Sequence, residues 1–441
     1  MKKTHRLALR QPRPARLLLC ALFVAGALAA CRAPAPTGTP GAYPISLTAT
    51  PPAPTTAPGY PVGTSVSGAT PPPVLTPNLT AAPQSTYTLN LPYVSAPMGS
   101  PTPPPTAAAP PPPPTPVWPD PIAGQTASKL GLHVIRNEDY AYAMEYVRRV
   151  HPRVMKAMDD VGWLADVKAA SPSTVTIGRF NGQAEHWVGT TDPVAAADAY
   201  VATNLERYRA NPGVDYWEGW NEYNPSSNED WEWYAKFEAE RACVMQANGL
   251  RAAVGDFAVG WPNTYEQMGL FLPALEAAHR CGGILTLHEY NSPTFQCGVG
   301  VNASGAIPGA PSVGDVVVGY NTLRYRIWYD GYLKPRGLGD LPLVISELGI
   351  QGLARGGPCN DPGGVGWKDY GDWWVKQGYG PDPERAYVNL LAWYDDEMRK
   401  DPYVIGATVF TLGALNGSDQ WHSFDVHDVL PLLAFYAAGQ Q

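Results

Sequence analysis

Tyr216-Trp217-Glu218-Gly219-Trp220-Asn221-Glu222-Tyr223-Asn224 reads as a strand that ends abruptly, and its place in the chain decides the fold. Aromatic residues in period-2 alternation run into Asn221-Glu222, and Asn224-Pro225-Ser226-Ser227-Asn228 follows as loop chemistry. In an extended strand Glu218, Trp220 and Glu222 point to one face, which sets Glu222 at the C-terminal lip beside an amide and several indoles. A carboxyl shielded by aromatic rings has a raised pKa, so it can hold a proton near neutrality and donate it. Alone, the stretch is equally a polar strand end with a solvated glutamate. What surrounds it in the chain separates the two readings.

Working outward, short apolar runs alternate with longer amphipathic ones. Strands are expected at Lys129–Ile135, Arg153–Met158 and Ser173–Phe180 before the quoted stretch, which is therefore the fourth. Leu250–Asp256, Gly283–Tyr290, Pro342–Glu347 and Tyr403–Thr411 follow it. Helices fall between them, including Tyr140–Val150, Pro193–Asn211, Trp231–Asn248, Tyr265–His279, Asp315–Leu333 and Asp382–Lys400. Near-continuous apolar strands indicate a parallel sheet buried on both faces, and eight β/α units indicate closure into a single (β/α)8 TIM barrel. No Gly-rich phosphate loop follows the first strand, which argues against a dinucleotide-binding sheet. In such a barrel chemistry belongs at the C-terminal strand ends. Those ends carry His133, Lys156, Arg179, Asn221 and Glu222 in the first half. The second half adds Asp256, His288, Glu289, Tyr290, Glu347 and, past the last strand, Trp421.

The 441 residues divide into a leader over 1–30, a linker over 31–122 and the barrel over 123–441. The first 16 residues hold six Lys/Arg and no acid, Leu17–Ala30 is uncharged and apolar, and Leu28-Ala29-Ala30-Cys31 closes the run. That is the pattern of a secretory signal, too short for a comfortable membrane span. The final tetrapeptide resembles a bacterial lipobox, which implies cleavage before Cys31 and lipidation of its thiol. The linker is built from Pro, Thr, Ala, Ser and Gly, so it is expected to be disordered and extended. Subtracting the leader's six from the chain's 31 Lys and Arg leaves 25 against 39 Asp and Glu, a net of −14. Such a surface repels nucleic acid and anionic headgroups, so the membrane is met only through the N-terminal anchor. A monomer is expected.

Cys243, Cys281, Cys297 and Cys359 remain in the barrel, and four cysteines allow three pairings. Cys297 and Cys359 lie in the long loops after the sixth and seventh strands, at one end of neighbouring units. Cys297–Cys359 is therefore the preferred bond, leaving Cys243–Cys281. No Cys-x-x-Cys spacing or His cluster points to a metal.

Trp217-Glu218-Gly219-Trp220-Asn221-Glu222 resembles the fourth-strand motif of retaining glycoside hydrolases of the large (β/α)8 clan, where Asn-Glu carries the acid/base. Leu343-Val344-Ile345-Ser346-Glu347-Leu348-Gly349 resembles the seventh-strand motif that ends in the nucleophile, and His288-Glu289-Tyr290 is similar to the sixth-strand His-x-Tyr pattern. The clan's Asn-Glu-Pro stands here as Asn221-Glu222-Tyr223, with Pro225 two residues on, which bears on loop shape. The resemblance implies that Glu222 is the acid/base and Glu347 the nucleophile. Asn221 would bind a sugar 2-hydroxyl, and Tyr290 and Arg179 would orient Glu347. Arg179 could equally be a rim ion pair. His288 could bind a sugar hydroxyl, orient Tyr290 or be a core histidine. Trp421 would supply an aromatic floor, Glu218 would pair with Lys156 inside the barrel, and at most one of Trp217 and Trp220 would line the site.

The resulting expectation is an exported, cell-surface hydrolase cleaving a β-linked glycan by retaining double displacement without a cofactor. The alternatives are an inactive carbohydrate-binding barrel and a transglycosylase of the same fold.

Overall fold

The computed structural model describes residues 126–181, 192–301 and 307–440. The leader, Cys31 and the whole linker lie outside the described residues.

Eight parallel strands carry the fold: β1 Leu130–Val134, β2 Val154–Met158, β3 Val175–Arg179, β4 Tyr216–Trp217, β5 Ala253–Phe257, β6 Ile284–Ser292, β7 Leu343–Arg355 and β8 Val404–Leu412. Their order in the sheet is β4-β3-β2-β1-β8-β7-β6-β5. Between the end strands, Trp217 bridges Ala252 in parallel and its N–H donates to the Arg251 carbonyl at 2.9 Å, which closes the barrel. The strands are buried almost throughout because both faces are covered, from within by other strands and from without by helices. Strand approach is close enough to require glycine in places: a Cβ on Gly131 would lie 1.8 Å from the Val154 carbonyl oxygen.

The helices are α1 Tyr140–Val150, α2 Leu164–Ala170, α3 Pro193–Arg209, α4 Asn228–Ala247, α5 Tyr265–Leu270, α6 Leu272–Arg280, α7 Tyr325–Trp328, α8 Gly371–Lys376, α9 Pro383–Met398 and α10 Leu430–Ala438. Four of these, α3, α4, α5 and α9, start at a side-chain cap. Asp192 accepts from the first-turn amides of α3, Ser227 caps α4 and Asp382 caps α9, with Pro in the first turn of α3 and α9. The single helix expected over Tyr265–His279 is two, because Pro273 begins a new first turn after Phe271.

The helix expected over Asp315–Leu333 forms only in its second half, as α7 and a π-helical turn over Tyr329–Leu333. Val317–Val318 pairs antiparallel with Gly300–Val301, and helix begins only at Tyr325. The cause is Glu289: its buried carboxylate accepts the Leu323 and Tyr325 N–H groups at 2.7 and 3.1 Å, fixing the helix start there. Glu289 is thus a loop fastener outside the site.

Both expected disulfides are present, Cys243–Cys281 with a Cα–Cα distance of 5.1 Å and Cys297–Cys359 with 6.0 Å. The first ties the end of α4 to the end of α6. The second ties the loop after β6 to the loop after β7.

Arg241 joins α4 to the barrel wall. It is fully buried, pairs with Glu238 at 2.7 Å and donates to the carbonyls of Trp217 on β4 and Ala253 on β5. Truncating one partner of a buried pair leaves the other charge uncompensated. Arg241→Ala is expected to lower unfolding free energy by about 3–5 kcal/mol, measured by urea denaturation.

Candidate active site

The fourth strand is shorter than its sequence pattern suggests, and this reorders the quoted stretch. Extended pairing stops after Trp217, so Glu218, Trp220 and Glu222 do not share a face. Glu218 points into the barrel, where Lys156 Nζ stands 2.8 Å from its carboxylate and both side chains are fully buried. Trp220 turns outward and packs on Phe237, with ring centroids 4.4 Å apart, and on Tyr234. Trp217 packs against Phe180 and Tyr208. Neither indole lines the site, so the expected aromatic shield beside Glu222 is missing.

Glu222 is held by its backbone instead. Its φ is +49°, in the left-handed region that a residue with a side chain enters only when its surroundings impose it. Its N–H donates to the Asp256 carbonyl at 2.9 Å, and Asp256 at the end of β5 has φ +47°. The turn throws the Glu222 side chain back over the barrel mouth, where it is 37% exposed and accepts from His288 Nδ1 at 2.7 Å.

Glu347, on β7, is buried among donors. Tyr290 Oη donates to one carboxylate oxygen at 2.8 Å. Lys156 Nζ stands 3.4 Å from the other, and both Arg179 terminal nitrogens stand 3.5 Å from it. Burial alone would raise the Glu347 pKa, but the charges of His288 and Lys156, the His133 ring and Arg179 outweigh it and hold the carboxyl well below the usual carboxylate range. Gly349 makes room for this arrangement, since a Cβ there would meet the Tyr290 ring at 3.1 Å.

Beneath the two glutamates lies a lattice of buried charge. Arg179 NH1 donates to Asp256 at 3.1 Å and also to Asn221 Oδ1. His288 spans the lattice: Nδ1 serves Glu222 and Nε2 serves Asp256 at 2.8 Å. Burial would lower the His288 pKa; the carboxylates of Glu347 and Asp256 push it up to about 10. Burial would likewise raise Asp256, but Lys156, His288 and Arg179 hold it well below its ordinary value. His133 differs. Its Nδ1 is 3.5 Å from Glu347, yet burial and Lys156 keep the ring neutral, so the contact is dipolar.

Above the lattice is a cavity of about 270 Å³. Arg179, Asn181, Asn221, Glu222, Tyr290 and Glu347 line its polar side, with Gln351 and Gln420 at further points. Ile135, Met158, Phe410, Trp421 and Phe424 form an apolar side, in which Trp421 stands edge-on to Phe410 at 5.3 Å. The structure thus gathers Glu222, Glu347, Asn221, Arg179, Tyr290 and Trp421 at one mouth. His288 lies just below it, oriented toward Glu222 rather than Tyr290. Sequence reasoning noted Lys156 and Asp256 at strand ends without giving Asp256 a partner, and it missed Asn181, Gln351 and Gln420. A lone charge in an apolar strand, as in Val154-Met155-Lys156-Ala157-Met158, is the signal that marks the lattice.

Oxygens of Glu222 and Glu347 and a nitrogen of His288 lie within 4.8 Å of one another, a span that could hold a cation. The donor set does not suit one. The carboxylates that push the His288 pKa up to about 10 favour its doubly protonated ring, a form with no lone pair to offer.

The raised His288 pKa fixes a sign. Its contribution to stability is complete below its ordinary value of 6.5 and is lost as pH rises through about 10. Urea midpoints are expected to fall over that window in the wild type and less steeply in His288→Gln.

No known family's sequence profile matches the chain, and no curated protein is similar to it. Among solved structures, an endo-1,4-β-D-mannanase from Thermotoga petrophila RKU-1 is similar over 70% of this chain and 99% of its own, at 13% identity and a TM-score of 0.41. A β-glucuronidase from Ruminococcus gnavus is similar over 71% of this chain and 50% of its own, at 11% and 0.40. XacCel5A, solved with cellopentaose, covers 70% of this chain and 99% of its own, at 12% and 0.38. Similarity at this level assigns no substrate.

Proposed function

We propose that the chain is a glycoside hydrolase that cleaves a β-linked glycan with retention of anomeric configuration. The observation that carries this reading is the pair of carboxyls: oxygens of Glu222 and Glu347 lie within 4.8 Å of each other, and Glu347 is the one held ionised. Retaining enzymes place the two groups about 5–5.5 Å apart, whereas inverting ones leave roughly 6.5–9.5 Å for a water.

Each side chain then has a task. In the first step a Glu347 oxygen bonds to the anomeric carbon, the glycosidic C–O bond breaks, and the Glu222 proton passes to the leaving oxygen. In the second, Glu222 takes a proton from water, the water oxygen bonds to the anomeric carbon, and Glu347 leaves as carboxylate. Tyr290, Lys156 and Arg179 keep Glu347 ionised and aimed. His288 hydrogen-bonds Glu222 at 2.7 Å and holds it in place through both steps. Asn221, with its carbonyl engaged by Arg179, has its amide free to meet a ring hydroxyl.

Export belongs to the same proposal. The basic, apolar and Leu-Ala-Ala-Cys sequence of the leader supports a lipid anchor at Cys31, and two disulfides suit an oxidising compartment. Mass spectrometry of the membrane fraction is expected to find the chain starting at a diacylated Cys31.

Glu222→Gln is expected to lower kcat on a poor leaving group by roughly 10²–10⁴. Glu347→Ala is expected to lose turnover altogether. Proton NMR of the first-formed product from an aryl β-glycoside should show the β anomer. An α product, or equal rates in wild type and both variants, would overturn the assignment.

A further inference from the structure

We propose that the cavity takes a single neutral, polyhydroxylated sugar ring and rejects uronic acids, with Asn181, Gln351 and Gln420 reading its hydroxyls. The proposal rests on the glycosidase reading and names the substrate class of the same site.

Volume limits the ligand first. About 270 Å³ lies just under the 300–1,000 Å³ of pockets that enclose drug-sized molecules, which leaves room for one ring at full burial. Charge limits it next. A sugar carboxylate buried there needs a cation with a donor to spare, since an unpaired buried charge is costly. Among the described lining residues Arg179 is the one Lys or Arg; its two terminal nitrogens are engaged by Asn221, Asp256 and Glu347, and its remaining donor, Nε, is buried out of a ligand's reach. The segment 182–191, next in sequence to Asn181, contains no Lys or Arg and carries His186 beside the acidic Glu185, and 302–306 contains no Lys or Arg. With Glu347 held ionised at the same mouth, a sugar carboxylate would meet a like charge.

The polar groups that remain are carboxamides. Asn181 follows β3, Gln351 lies on β7 and Gln420 follows β8, so they approach the cavity from three directions. A carboxamide donates and accepts at once, matching a hydroxyl that does the same, and it carries no charge to desolvate. Gln351 sits four residues beyond Glu347 on one strand, roughly 13 Å along it, so it reads hydroxyls at the outer edge of the ring rather than at the anomeric carbon. The apolar side, with Trp421, meets the ring's C–H face.

The test uses the full chain with 4-nitrophenyl β-D-glucoside, galactoside, mannoside, xyloside and glucuronide, together with sugar binding to Glu222→Gln by saturation-transfer NMR. At least one neutral glycoside should exceed the glucuronide by a hundredfold or more in kcat/KM. Gln351→Leu and Gln420→Leu should each raise KM for that substrate by roughly two- to tenfold, the loss of one neutral hydrogen bond. Gln420→Arg should narrow the gap to the glucuronide. Comparable or preferred turnover of the glucuronide overturns the proposal, as does glucuronate binding at least as tightly as the neutral sugars. If nothing is hydrolysed but neutral sugars alone bind, the enzymatic reading fails and this one stands. Binding of neither class overturns both.

Discussion

The interaction on which the rest depends is the ammonium of Lys156 at the centre of the barrel, 2.8 Å from Glu218 and 3.4 Å from Glu347. A carboxylate as deeply buried as Glu347 would take up a proton or cost several kcal/mol unless compensated. Lys156, Arg179 and His288 face Glu218, Asp256 and Glu347, so the interior is close to neutral only while Glu347 is ionised. Apolar side chains of similar volume would make a more stable barrel centre. The chain carries the less stable arrangement where the chemistry needs a carboxylate that is dry and charged at once.

That lattice also explains the backbone above it. Glu222 and Asp256 stand in left-handed conformations at neighbouring strand ends, joined by one N–H to carbonyl bond. Each such residue costs on the order of 1–3 kcal/mol and persists where the surroundings over-determine it. Here His288 takes hold of both side chains, and Arg179 reaches Asp256 from across the mouth. One imidazolium therefore fixes the height and direction of Glu222, and through Tyr290 and Arg179 the same wall fixes Glu347.

Much of this could be read from the sequence. Eight apolar runs between amphipathic ones specify the barrel, because a strand buried on both faces has a composition that few other elements share. Glu222 and Glu347 stood out because polar residues at successive strand ends recur on one rim. Trp220 misled, since period-2 alternation was carried past Trp217 into residues that no longer pair, and an indole that seemed aimed at the mouth serves the outer layer. The Asp315–Leu333 helix misled for a different reason. Its local propensity was overridden by Glu289, a side chain far earlier in the chain that fixes where the first turn begins. Gln351 and Gln420 carried no signal, since an amide past the apolar run of a strand looks the same whether or not a cavity lies beneath it.

One modest contact bears on how the barrel is presented. Thr126 and Ala127 are laced to the last turn of α10, with the Ala127 N–H donating to the Gln440 carbonyl at 2.8 Å and the Thr126 hydroxyl to Ala437. Helices of the barrel run against its strands, so this knot lies on the rim opposite Glu222 and Glu347. The described chain therefore enters the barrel at the root of β1, fastened to α10. The rim that carries Glu222 and Glu347 is the opposite one, away from that point of entry.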